Sequence, residues 1–141
     1  MEAKNYLKQA RNARVKVKNK IIEARQWRDI ALSITSYMDG DRVQSSSPKD
    51  KMANAVEECQ MAEGQVLERV KELRSVMEDV TGTIECLDNA TEYDVLHQIY
   101  IQSKSLQDVA DDYENDYTWA TTTHGRALKS VQAILDEKEK E

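Results

Sequence analysis

The chain has 141 residues, a third of them charged, and a formal charge of -6 at pH 7. That length holds one domain, or one small domain with an extended helical element, which argues against a large cleft enzyme. Four Gly, one Pro and no Phe leave few turn signals and few sheet formers, so the expected class is all-α. No stretch of about 18 apolar residues occurs, and the opening residues lack the apolar core of a signal peptide. The expected setting is therefore a cytoplasm, without membrane contact. If Cys59 and Cys86 share one helix, 27 residues at about 1.5 Å each separate them by roughly 40 Å, beyond disulfide reach. Both are expected to be packing thiols on an apolar face.

From Ala3, positions alternately three and four apart run through Tyr6, Ala10, Ala13, Val17, Lys20, Ala24, Trp27, Ala31 and Ile34 to Met38. All but Lys20 are apolar, and Ile21 beside it can fill the fault, so the pattern is a coiled-coil seam. "DGDRVQSSSPKD" should end this helix and start the next, with Gly40 as the break, Ser47 as a capping hydroxyl and Pro48 at the first helical position. A second seam follows through Met52, Val56, Cys59, Glu63, Val66, Val70, Leu73, Met77, Val80 and Ile84 to Leu87, faulted only at Glu63 beside Ala62. Two such helices imply a long antiparallel coiled-coil hairpin. A seam that narrow leaves apolar surface for a second copy, so a homodimer or higher homo-oligomer is expected.

Residues 1 to 28 carry nine Lys/Arg against two Glu, whereas residues 57 to 79 carry seven acids against Arg69, Lys71 and Arg74. The basic helix is either a phosphate-binding surface or a flank facing the acidic helix and solvent. Thr81-Gly82-Thr83 is a possible hinge or bend, because it interrupts good helix formers. The expected organisation is an oligomerising hairpin over residues 1–88 and a small domain over residues 89–141.

After "LDNATE" the seam gives way to shorter helices. "EYDVLHQIYI" puts Tyr93, Leu96 and Tyr100 on one face, and "SLQDVADDY" opens on a capping Ser105 and buries Leu106, Val109 and Ala110. "ENDY" is a tight turn with Asp116 as the next N-cap, and the final helix has its apolar positions at Ala120, Ala127, Leu128, Val131 and Leu135. Three short helices with a tight turn between the last two make a helix-turn-helix. The run from Tyr117 to Leu135 contains no acid, whereas Glu85 to Asp116 holds nine acids and one base. A 100° wheel turns His124 inward with Ala120, Ala127 and Val131, and turns Thr118, Trp119, Thr122, Gly125, Arg126 and Lys129 outward. Hydroxyls, a guanidinium and a close-approach glycine are what a recognition helix offers to base edges and phosphates. Trp119 on that face would stack on nucleic acid or dock on another helix.

The stretch "LHQIYIQSKSLQDVADDYENDYTWATTTHGRALKSV", Leu96 to Val131, resembles the helix-turn-helix of bacterial sigma factor region 4, notably in "SLQDVA" and "RALKSV". With "VQSSSPKDKMANAV" and the two seams, nearly the whole chain resembles small phage and prophage proteins grouped with the ArpU and RinA type regulators of late transcription. The resemblance implies sequence-specific binding to double-stranded DNA near phage late promoters in a bacterial host cytoplasm, with RNA polymerase as a further contact. In the resembling helices the first turns touch bases, which implies Tyr117, Thr118, Thr121 and Thr122 here. Arg126, Lys129 and Trp119 complete the expected DNA-binding set.

His97 and His124 lack metal-ligand spacing, and no phosphate loop, nucleophile elbow or carboxylate pair can be placed, so neither cofactor nor enzymatic activity is expected. Two other classes fit the same pattern. One is a coiled-coil adaptor that docks on RNA polymerase or another protein through the acidic first motif helix, with Asp108, Asp111, Asp112 and Glu114. The other is a small terminase subunit, which also combines a helix-turn-helix with oligomerising helices.

Overall fold

The computed structural model describes residues 1–40 and 47–141, with the side chains of 1–34 and 50–141. The described elements are α1 (Ala3–Gly40), α2 (Ser47–Ile84), α3 (Ala90–Leu96) with a π turn (His97–Ile101) continuing it, α4 (Leu106–Asp112) and α5 (Tyr117–Lys140). No strand occurs among the described residues. The protein is all-α: a long antiparallel helical hairpin followed by a helix-turn-helix. The loop expected over residues 41–46 lies outside the described residues, and the capping hydroxyl of Ser47 and the seam side chain of Met38 lie outside the described side chains. No described helix is long and apolar enough to cross a membrane.

Contacts divide the chain into two compact units, and the division does not follow a cut after residue 88. One unit is Arg14–Glu72, the hairpin proper. Its α1 face follows the seam: Val17 is buried, and Ala24, Trp27, Ala31 and Ile34 are half-buried. The fault at Lys20 is met by Nζ bonding Glu23 Oε2 at 2.9 Å and Gln65 Oε1 at 3.3 Å. The α2 side departs from the expected seam. Ala55 and Ala62 are buried, whereas Val56 and Val70 are exposed and Glu63 faces out to Arg28 at 3.5 Å. A strict 3.5-residue repeat drifts around a straight 3.6-residue helix, and alanines let two backbones come close where valine would hold them apart. A seam closed by small residues covers little, so Val15, Ile22, Leu32, Val56, Leu67 and Val70 stay exposed.

The other unit joins Met1–Ala13 to Leu73–Glu141. Ala3, Tyr6, Leu7 and Ala10 from α1 share one core with Val80 and Ile84 of α2, Val95, Leu96, Ile99 and Tyr100 of α3 and its π turn, Val109 of α4, and Ala127, Val131 and Leu135 of α5. Polar groups lock this arrangement. The Tyr6 hydroxyl bonds the Asp79 carboxylate and Thr83 Oγ1 at 2.8 Å, and Lys138 Nζ donates to the same Thr83 oxygen at 3.0 Å. Burial, with the nearby Asp79 carboxylate, pushes the Tyr6 phenol up to about 12. Thr81-Gly82-Thr83 is therefore no hinge: α2 runs on to Ile84 and Thr83 is fully buried. Cys86, expected on an apolar face, is instead exposed one turn beyond, its thiol on the Gly82 carbonyl at 3.3 Å.

The short helices start where local chemistry starts them. Asn89 Oδ1 accepts from the backbone of Thr91 and Glu92, Ser105 and Asp108 form a reciprocal capping box, and Asp116 Oδ1 accepts from Trp119 N at 2.7 Å. The π turn closes with Gln102 N on His97 O at 3.0 Å. At the other end of α4, Glu114 N reaches Asp111 O and Asn115 N reaches Ala110 O, the paired bonds of a Schellman stop. That stop places Glu114 at φ 51, a left-handed conformation that costs a side chain but not glycine. Glu114→Gly should therefore raise stability by about 0.5–1 kcal/mol, read as a higher melting temperature by circular dichroism, with unchanged helicity.

Candidate nucleic-acid interface

α5 packs on both α3 and α4, so its buried stripe is held from two sides. Ala120, Thr123, Ala127, Val131 and Leu135 form that stripe, and His124 borders it. The opposite face carries Thr118, Thr122, Arg126 and Lys129, all exposed and spaced so that each lies one turn above the last. Tyr117 is 51% exposed at the start of the helix. Of the residues expected to touch DNA, these five are open to a ligand.

The other two are partly engaged within the chain. Thr121 is half-buried, its hydroxyl bonding Thr118 O at 2.9 Å. Trp119, expected to face outward, packs instead against the core and the Tyr113 ring, with centroids 5.0 Å apart. The turn between α4 and α5 brings Tyr113 back over the first turn of α5, and two large rings bury more surface together than either would facing water. The threonine run is therefore not one face. Thr118 and Thr122 point out, Thr121 is intermediate and Thr123 is buried.

The angle between the helices is fixed by a buried amide. Gln98, 3% exposed at the π turn, donates through Nε2 to Asp94 Oδ2 at 2.7 Å and to Asp112 Oδ2 at 3.1 Å. Asp94 also takes the Tyr113 hydroxyl, whose phenol is pushed up to about 12 by burial and by that carboxylate. α3, its π turn and α4 are thus tied through one side chain, and α4 in turn carries the ring that seats Trp119.

The acids around the helix-turn-helix have structural duties. Of the seven from Thr91 to Leu135, Glu92 accepts from Ser130, Asp94 and Asp112 from Gln98, Asp108 from Ser105, Asp111 from Gln107 and Asp116 from Trp119. Only Glu114 is left outside that set. The backbone and hydroxyl of Ser105 hold the Asp108 carboxyl below its usual range. Asp116, one of these acids, stands at the N-terminus of α5.

His124 faces inward, as the wheel implies, with Nε2 2.8 Å from the Tyr100 hydroxyl and the two rings stacked at 5.8 Å. Burial, with a smaller contribution from the Lys4 charge, holds its pKa below the ordinary 6.5. The pairing with Tyr100 was not legible in the sequence, because nothing there aligns the π turn with α5. Among the described residues, no three His, Cys, Asp or Glu side chains gather as metal ligands. Searches of protein-family models, curated proteins and solved structures find no match to the chain.

The depressed His124 pKa fixes a sign. The unfolded chain takes up this proton near pH 6.5 while the folded chain still refuses it, so stability is full above that pH and falls as pH drops below it. Between pH 7 and 5 the wild-type melting temperature should fall further than that of His124→Gln, which keeps an acceptor for Tyr100 but cannot titrate. Equal slopes in the two proteins would contradict this assignment.

Proposed function

We propose that the chain is a sequence-reading, double-stranded DNA-binding protein of the transcription-regulator type, with α5 as its recognition helix. One observation carries this reading: the exposed stripe Thr118, Thr122, Arg126 and Lys129 lies on the second helix of a helix-turn-helix whose buried stripe is packed against both α3 and α4. A recognition helix needs a rigid back and a chemically varied front. Thr118 and Thr122 offer a hydroxyl and a methyl each to base edges, and Arg126 offers a fork that fits guanine or phosphate. Tyr117 and the free edge of Thr121 extend the first turn, while Trp119 contributes by fixing the pitch of α5 on α4. On the resemblance to sigma factor region 4 and to the ArpU and RinA type regulators, the proposed target sites are phage late promoters, with RNA polymerase as the proposed second partner in a bacterial cytoplasm.

The expected experiment is selection of bound duplexes from a randomised library at about 150 mM salt, where non-specific phosphate binding is already weakened. The wild type should enrich one sequence, and Thr122→Ala combined with Arg126→Ala should lose at least about 30-fold in preference for it, since each good base contact contributes about 1–3 kcal/mol. Helicity should not change. A pool without enrichment would sink the reading and favour an adaptor that works through protein contacts.

The exposed apolar residues of the hairpin point to a second copy of the same hairpin as their cover. α1 over 14–34 is mainly basic and α2 over 50–72 mainly acidic, so a twofold partner sets each α1 beside the opposing α2 with attraction on both flanks. A groove of about 490 Å³ lined by Ile21, Arg25, Arg28, Glu63 and Leu67 holds both signs of charge around an apolar floor. Sedimentation equilibrium should give at least twice the chain mass. Leu67→Glu with Val56→Glu, 64% and 41% exposed, should give the monomer with unchanged helix content.

A further inference from the structure

The proposed recognition helix has few cations of its own, and its N-terminal end is guarded by Asp116. Phosphate neutralisation supplies much of the affinity of any DNA-binding protein. If α5 reads bases, the compensating charge must come from elsewhere in the same unit.

α1 enters that unit with Ala3, Tyr6, Leu7 and Ala10 facing the core. One flank of this face is settled by Tyr6, whose hydroxyl bonds Asp79 and Thr83 of α2. The other flank, beyond Leu7, carries Lys4, Lys8 and Arg11, at the i, i+4, i+7 spacing of one helix stripe. All three are exposed, and none makes a salt bridge with a described residue. Their neighbourhood is α5. Ala3 N donates to Gln132 Oε1 at 2.7 Å, and Lys4 and Arg11 lie near enough to act on His124 and Tyr100, the pair joined at 2.8 Å. Turning around α5 away from its buried stripe, Gln132 and Gly125 are followed by Thr118, Lys129 and Thr122. α1 therefore sits against the flank of α5 from which the exposed stripe begins.

We infer that Lys4, Lys8 and Arg11 form a phosphate-gripping rail beside the recognition helix, contacting the DNA backbone at the edge of the groove that α5 enters. This rests on the DNA-binding reading above and goes beyond it by assigning the affinity to a different helix. The dimensions agree. A major groove is about 12 Å wide, and packed helices lie about 8–10 Å apart, so a helix beside the one in the groove falls over the flanking strand. Seven residues of rise, about 10 Å, spread the three cations along that strand. Reading and gripping are then separated: α5 supplies preference between sequences, and α1 supplies attraction to all of them.

The test uses the full chain, a 30-base-pair duplex of mixed sequence and fluorescence anisotropy between about 50 and 300 mM salt. The combined variant Lys4→Gln, Lys8→Gln, Arg11→Gln should flatten the slope of log affinity against log salt by about 2–3, since each lost phosphate contact removes about 0.9. It should still enrich the wild-type sequence from a randomised library. The charge-keeping variant Lys4→Arg, Lys8→Arg, Arg11→Lys should restore the slope, which a purely structural role would not require. A slope unchanged in the glutamine variant overturns the rail while leaving the recognition helix standing. A flattened slope in a protein that enriches no sequence supports the rail and sinks sequence reading. Absence of binding by the wild type even at 50 mM overturns both.

Discussion

The buried meeting of Tyr6, Thr83 and Lys138 is the constraint on which the rest of the larger unit depends. Three helices distant in sequence, α1, α2 and α5, converge on one hydroxyl that is fully removed from water. A buried polar group must be satisfied, so the three helices cannot shift independently without stranding it. The apolar residues around it supply most of the free energy of burial but little direction. The hydroxyl supplies the direction: it sets which turn of α1 faces which turn of α2, and so which side of α1 is left to face α5.

That constraint explains what the sequence disclosed and what it hid. Helix starts were legible because a cap is a local transaction: Ser105 with Asp108, and Asp116 with Trp119, are three residues apart. The inward face of α5 was equally legible, since a 3.6-residue period reports burial directly. Periodicity says that a face is buried, but not by what. The seam from Ala3 to Ala10 reads as coiled coil like the rest of α1, yet in the structure those residues belong to a different core from Val17 and its successors. On α2 the larger residues misled, because Val56 looks more like a seam position than Ala55 until a close approach of backbones favours the smaller one.

The candidate site divides in the same way. Thr118, Thr122, Arg126 and Lys129 could be picked from the wheel because they need only one helix for their definition. Trp119 could not, since its burial depends on the ring of Tyr113 arriving from the preceding turn. Six of the nine acids between Glu85 and Asp116 accept at a cap, an amide or a hydroxyl. Composition counts such charges without saying what holds them. The basic end of α1 escaped assignment for the opposite reason: the sequence shows its cations plainly but does not show that they lie beside α5.

A core shared between Ala3 and Leu135 also dictates an order of events. The helices of the hairpin pair through nearby chain and can form early, because loop closure over a short span costs little entropy. Leu7 and Ala10, in contrast, have no complete site until Ala127 and Val131 are helical, more than a hundred residues later. Until then the first turns of α1 are an unburied apolar face on an otherwise finished helix. Closing that core is the most non-local step of the fold: α3, α4 and α5 can meet through nearby chain, and the face of α1 is covered only once they have.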